Sequence, residues 1–270
     1  MSFNSPGGVQ LSVDASHWPA PPPDIALPRS EVHVWAVPLD LTPREHTQLA
    51  ALLSPDERER AARLHFARNR DRWVVGRGRL RQLLGRYLDR APDSLCFDYD
   101  CACGDPRCTH SHRKPVLADA RWLNFNVSHS GGLALIVVAR DRRVGIDLEH
   151  RLLAAELLPL APTFCAPAEL AALRHLSPET QAATLTALWT AKEAYLKARG
   201  IGLILPPQEV EIALAPSAPP SLVRVSDDPH EAIRWTLATP LPLPGYGSAL
   251  VIEGASPTLR CWQWPSRVPE

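Results

Sequence analysis

Apolar and polar positions along this chain fall into runs of period two and period 3.6, and their order predicts the architecture. Residues 31–37 alternate and are β-branched, which predicts a strand. Thr42, Pro43 and Glu45 then supply the cap, first-turn proline and returning acid of a helix start, and Ser54, Pro55 and Glu57 repeat that signal. An arginine-studded helical pattern over 69–90 follows, then strand-like runs at 96–99, 122–127 and 133–139. The order begins again with a strand at 144–149, helical segments over 152–199 and β-rich runs at 209–214, 222–225, 233–237, 249–252 and 259–262. Strand, helices, then antiparallel strands, written twice, predict an α+β fold of two pseudo-symmetric halves, 31–141 and 142–270, with the active site between them. Residues 1–30 carry Pro19, Pro21, Pro22, Pro23 and Pro28 without periodicity, which predicts an extended or disordered leader outside the fold.

Composition narrows the class. A chain of 270 residues, 45% hydrophobic and 21% charged, is long enough for a proper core and has no apolar run near the ~20 residues of a membrane span. Residues 1–10 lack a basic stretch followed by an apolar one, so the cytoplasm is the expected location. Lys plus Arg equals Asp plus Glu at 29 each, which argues against a general nucleic-acid binder. Of the six cysteines, Cys96, Cys101, Cys103 and Cys108 crowd one stretch while Cys165 and Cys261 stand apart, a spacing unlike a disulfide framework and suited to reduced thiols.

Three stretches carry candidate chemistry. In Val144-Gly145-Ile146-Asp147-Leu148-Glu149, strand alternation turns Asp147 and Glu149 to one face and Ile146 and Leu148 to the other. Two acids so placed repel, and as hard oxygen ligands they suit Mg²⁺ better than Zn²⁺; a solvated edge strand gives the same pattern. Trp189, Glu193 and Lys197 recur at i, i+4 and i+8 on one helical face with Lys192 beside it. Alone, that is a surface ion pair with Trp189 in the core; beside the strand acids, it adds a third carboxylate and an ammonium to a site for a metal-held diphosphate. Asn124 to Gly132 ends a strand in a polar glycine turn able to offer N–H groups, a hydroxyl and an imidazole to an anion. Ser128 and His129, as successive strand residues, point to opposite faces and are not a nucleophile-base pair.

Taken together, Asn126-Val127-Ser128-His129-Ser130-Gly131, Gly145-Ile146-Asp147-Leu148-Glu149 and Trp189-Thr190-Ala191-Lys192-Glu193-Ala194-Tyr195-Leu196-Lys197 resemble, in order and approximate spacing, the signature of Sfp-like 4′-phosphopantetheinyl transferases, over about residues 31–262. The resemblance implies an enzyme of the holo-[acyl-carrier-protein] synthase type that moves the phosphopantetheine arm of coenzyme A onto a serine of an apo carrier protein and releases 3′,5′-ADP. It implies Asp147, Glu149 and Glu193 as Mg²⁺ ligands, with Glu193 instead or also the base, and Lys197 on the diphosphate. Ser128 and His129 match residues at the nucleotide phosphates, Lys114 one in the coenzyme pocket, Arg72 a 3′-phosphate contact, and Glu169 an acid near the site. Arg68, Arg70, Arg77, Arg79 and Arg81 are expected mostly at the surface, as candidates for meeting an acidic carrier helix. In Ser54 to Arg60 the likeness implies two basic phosphate contacts, yet Glu57 stands at one and only Arg60 keeps the charge. Cys101, Cys103, Cys108, His110 and His112 could hold Zn²⁺ or form a reduced loop. A chain with both halves is expected to be a monomer, with no nucleic acid or membrane partner. The competing readings are a Mg²⁺-dependent nucleotide pyrophosphatase, with water as nucleophile, and a zinc or nucleic-acid adaptor built on the Cys/His loop and the arginine helix.

Overall fold

Both proline-led helix starts form as the sequence predicts. Thr42 and Ser54 each accept the N–H of the residue three places on, while Glu45 and Glu57 reach back to the cap's own N–H. A computed structural model describes residues 18–100, 114–151, 154–215, 218–228, 230–240 and 242–264. Its elements in chain order are β1 Glu31–Pro38, α1 Pro43–Ala51, α2 Pro55–Ala62, α3 Ala67–Leu88, β2 Phe97–Asp100, β3 Lys114–Leu117, β4 Leu123–Ser130, β5 Leu133–Arg140 and β6 Val144–His150. There follow α4 Ala154–Leu157, α5 Pro167–Leu173, α6 Pro178–Arg199, β7 Val210–Ala215, β8 Ala218–Val225, β9 Trp235–Ala238, β10 Tyr246–Glu253 and β11 Thr258–Gln263. Among the described residues no helix is long and apolar enough to cross a membrane.

Two sheets dominate, in the orders β11-β1-β5-β4 and β6-β10-β9. The chain leaves the first at Arg140, turns through Asp141 at φ 55°, and enters the second at Val144. β11 returns from the far end of the sequence to pair parallel with β1. Alternation sorts the side chains into layers. Trp35, Val37, Ile136 and Val138 face α3, where they meet Leu80, Leu83 and Leu84. Val34, Ala36, Leu135 and Val137 turn the other way, onto Ile146, Leu148, Leu250 and Ile252 of the second sheet. That sheet's opposite face, with Ala249 and Val251, packs on Leu188, Ala191, Ala194 and Tyr195 of α6. The order is therefore helix, sheet, sheet, helix. A one-residue slip of β6 would reverse it, turning Asp147 between the two sheets and Ile146 and Leu148 toward the charged side chains of α6.

β6 lies unusually close to α6. A Cβ at Gly145 would stand 2.0 Å from the Ala194 carbonyl oxygen and 2.4 Å from the Ala198 nitrogen, both backbone atoms that cannot turn aside. Gly145→Ala is therefore expected to push α6 outward and cost about 3 kcal/mol. Chemical denaturation should read that loss, and an unchanged midpoint would contradict it.

Two expectations change. Over 18–30 the proline-rich segment belongs to the fold: Trp18 is 3% exposed in the core between the sheets, Ile25 and Leu27 pack on the α3 side, and the Pro19 carbonyl accepts the Gln263 N–H at 3.0 Å. A proline-rich chain has little backbone freedom to lose, so a few apolar anchors suffice to hold it. Of the α3 arginines expected at the surface, Arg68 is exposed, but Arg77, Arg79 and Arg81 are buried. Glu57 of α2 reaches between two of them, its oxygens 2.5 Å from Arg77 Nε and 2.7 Å from Arg81 Nε. Arg81 also donates to the carbonyls of Pro92 and Leu95, and the Arg77 guanidinium lies 3.9 Å from the Phe97 ring centroid. Burial alone would raise the Glu57 carboxyl, but Arg81 and Arg77 hold it below the ordinary glutamate value.

Candidate active site at the seam between the sheets

β4 and β6 are edge strands of different sheets and lie side by side. The N–H groups that β6 turns toward β4 are met by side chains rather than carbonyls. Asn126 Oδ1 accepts from Ile146 at 2.9 Å, Ser128 Oγ from Leu148 at 3.3 Å and Ser130 Oγ from His150 at 3.0 Å. An open edge that would leave donors unsatisfied is thereby closed. The two hydroxyls pass their own protons on, Ser128 to Asp147 Oδ1 at 2.8 Å and Ser130 to Glu149 Oε2 at 3.0 Å.

α6 completes the cluster from the other side. Lys197 Nζ lies 2.5 Å from Asp147 Oδ1 and 3.2 Å from Ser128 Oγ. Burial would lower this ammonium, but the charge and hydrogen bond of Asp147, with Glu193 and Glu149 beyond, hold it above the ordinary lysine value. Burial, then the nearby charge of Asp147, raises the carboxyl of Glu149, while the Ser130 hydrogen bond and Lys197 oppose the shift. Burial raises Glu193 as well, with Asp147 adding to the shift and Lys197 opposing it. Asp147 Oδ2 is buried without a hydrogen-bond partner. Asp147 thus meets an ammonium beside Glu149, the charge of Glu193 reaches that ammonium, and an acceptor oxygen is left over.

On the opposite face of β4, His129 looks into a cleft. Its wall includes Arg60, Arg72, Trp73, Arg77 and Tyr99. The Arg60 guanidinium stands 5.9 Å from the ring centroids of both Trp73 and Tyr99. Desolvation in the cleft, then the charges of Lys197 and Arg72, lowers the His129 imidazole. Arg72 is held by Asp40 through two bonds of 2.7 Å. Arginines with exposed aromatic faces suit an anion that carries a planar ring.

Residues 40–141 match the family described as 4′-phosphopantetheinyl transferase, N-terminal, and residues 143–246 match the 4′-phosphopantetheinyl transferase superfamily. The chain is 38% identical over 250 residues to 4′-phosphopantetheinyl transferase HetI of Nostoc sp., covering 92% of this chain and 98% of that protein. The chain belongs to the 4′-phosphopantetheinyl transferase family. It is also similar to the transferase Sfp of Bacillus subtilis, at 26% identity over 64% of this chain and 72% of that one, and to AcpT of Escherichia coli, at 30% over 57% and 69%.

Placed within this family, the residues singled out from sequence divide into three groups. Asp147, Glu149, Glu193, Lys197 and Ser128 meet at the seam, while Arg60, Arg72 and His129 line the cleft. Ser128 does not face the cleft. Its two lone pairs are taken by Leu148 N–H and Lys197, and its proton by Asp147, so its hydroxyl belongs to the acid cluster. The glycine turn lies against Tyr246, whose hydroxyl oxygen would stand 3.0 Å from a Cβ at Gly131. Lys114 lies apart from both: its ammonium donates to the Val144 carbonyl at 2.8 Å, and burial and Arg143 push it down to about 8. Glu169 is a buried structural acid that bonds Lys192 at 2.6 Å and the N–H groups of Ala166 and Ile212. Cys101, Cys103, Cys108, His110 and His112 fall outside the described residues. Sequence reasoning missed the bond of Ser130 to Glu149, although Ser130 lies inside the first motif, and it missed Arg77 as cleft wall.

The raised carboxyls carry a sign. A glutamate lifted in the folded state favours the fold while protonated; that contribution is present below its unfolded value near pH ~4 and is lost as pH rises through the folded one. Glu193→Gln is therefore expected to melt above wild type at pH 7 in a chelator, with the gap closing toward pH ~4. Thermal denaturation at both pH values checks this, and a lower midpoint at pH 7 would place the charge on the stabilising side.

Proposed function

We propose that the protein transfers the 4′-phosphopantetheine group of coenzyme A to a serine hydroxyl of an apo carrier protein and releases 3′,5′-ADP. The observation that carries this reading is the convergence of Asp147, Glu149, Glu193 and Lys197 beside an arginine-lined, aromatic-faced cleft. Matches to both family descriptions within one chain, and the core its two sheets share, support the Sfp-like type acting as a monomer.

The seam fits a divalent cation. Among the described residues no three acidic, histidine or cysteine side chains already stand as a coordinating set, and Lys197 holds Asp147 instead. Yet the buried, unpartnered Asp147 Oδ2 and two carboxyls raised by burial and by Asp147 make an all-oxygen donor set short of positive charge. Asp147, Glu149 and Glu193 would hold Mg²⁺, which when bound neutralises charge on the diphosphate. The residues do the rest. The carrier serine oxygen forms a bond to the β-phosphorus, the bond from that phosphorus to the bridging oxygen breaks, and 3′,5′-ADP leaves with the electron pair. Glu193, as the acid that shares its helical face with Lys197, receives the serine proton. Lys197 turns its ammonium from Asp147 to the diphosphate oxygens, and the arginines of the cleft hold the nucleotide phosphates. No covalent enzyme intermediate is needed.

The test is mass spectrometry of an apo carrier protein incubated with the full chain, coenzyme A and Mg²⁺. One serine should gain the phosphopantetheine mass as 3′,5′-ADP is released. Hydrolysis of coenzyme A at the same rate without carrier would favour a pyrophosphatase and overturn the reading.

A further inference from the structure

The three rungs between β4 and β6 are alike as seam contacts and unlike in what else they do. At each, a side chain of β4 accepts an N–H of β6. Residue 145, one position before the Ile146 rung, is glycine, so the Asn126 rung has no acid to serve. The positions just before the other two N–H groups are Asp147 and Glu149. A hydroxyl that spends a lone pair on an N–H has one proton left, and the N–H fixes the hydroxyl's place, so the proton is aimed. At Ser130 it is aimed at Glu149 Oε2, 3.0 Å away.

We infer that Ser130 is a positioning residue that orients Glu149 toward the divalent cation, so that the first sheet builds the acid pair of the second. The inference rests on the cation reading given above. An unrestrained glutamate keeps rotamer freedom that binding must remove, and a partner fixed to the backbone removes it in advance. Glu149 is held at Oε2 by Ser130, and the hydroxyl that holds it is itself fixed by the His150 N–H. Asp147 is held likewise at Oδ1 by Ser128, which leaves Oδ2 without a partner. Partners that orient metal-ligating carboxylates commonly change affinity 10–100-fold when removed.

The experiment is titration of Mn²⁺ into the full chain with coenzyme A and no carrier, read by electron paramagnetic resonance, with folding of each variant checked by circular dichroism. Ser130→Ala is expected to bind Mn²⁺ about 10-fold or more weakly than wild type, and Ser130→Thr, which keeps the hydroxyl, within about 3-fold. Ser130→Cys keeps the shape with a poor donor and should also weaken binding, which covers an alanine variant that does not fold. Asn126→Ala loses a seam bond without touching an acid, so it should lower the melting temperature and keep wild-type affinity. Wild-type affinity in both Ser130→Ala and Ser130→Cys, with binding lost in Asp147→Asn, would overturn this inference alone, as would an equal weakening in Asn126→Ala. Failure of wild type to bind Mn²⁺ would overturn the cation reading and this inference together.

Discussion

Asp147→Asn should reduce phosphopantetheine transfer by at least about a thousand-fold, or ~4 kcal/mol of transition-state stabilisation, while the chain stays folded. Its carboxylate is the meeting point of the site: Ser128 and Lys197 share Oδ1, Oδ2 has no partner, and both glutamates feel its charge. Asparagine can keep an oxygen for Ser128 but supplies no charge, either to a cation or to Lys197. The structure adds a reason to prefer it to alanine. From the sequence the strand acids should merely repel, so that losing one would be harmless to the fold. In the structure Asp147 neutralises a lysine, and alanine would leave that ammonium without its nearest counter-charge. Single-turnover transfer measured beside a melting curve separates the two effects. A variant retaining a tenth of the wild-type rate would remove Asp147 from the chemistry.

Glu57→Ala should be the most damaging substitution to stability outside the site. It would strip the counter-charge from Arg77 and Arg81 at once, and breaking a buried pair from one side costs about 3–5 kcal/mol. The capping box of α2 would go with it. In a chain of this size the midpoint of thermal unfolding should fall by roughly 10 °C. Urea denaturation gives the free energy directly, and a loss below about 1 kcal/mol would mean that water reaches the two guanidinium groups. Glu57→Lys, which restores a basic residue where the family likeness implies one, should be worse because it buries a third cation. The place of Glu57 is thus a matter of folding rather than of anion contact, and Arg77, buried beneath the cleft wall, brings positive charge there from another helix.

What could be read in advance was whatever repeats along the chain. Period two put Asp147 and Glu149 on one face of β6 and Ile146 and Leu148 on the other. Period 3.6 put Trp189, Glu193 and Lys197 on one face of α6, and alternation separated Ser128 from His129. What escaped was pairing across long separations. The contact of Ser130 with Glu149 joins strands of different sheets through side chains, and no periodicity marks such a bond. An arginine run reads as surface until its acid is found, and Glu57, 20 residues before Arg77, has a sufficient local role as a helix cap. Trp18, Ile25 and Leu27 are too sparse among prolines to register as a core segment. In each case local chemistry was legible, and the partner that decided its role lay far along the chain.

The return of β11 to the flank of β1 ties the unfolding of the molecule together. Peeling the last strand from its neighbour would bare a row of amide donors and acceptors on β1, release Pro19 from Gln263, and loosen the wedge that Trp18 drives between the sheets. The two halves should therefore melt in a single step. A cut ahead of Thr258 should produce not a shortened enzyme but a sticky sheet margin, prone to recruit the same strand from another copy.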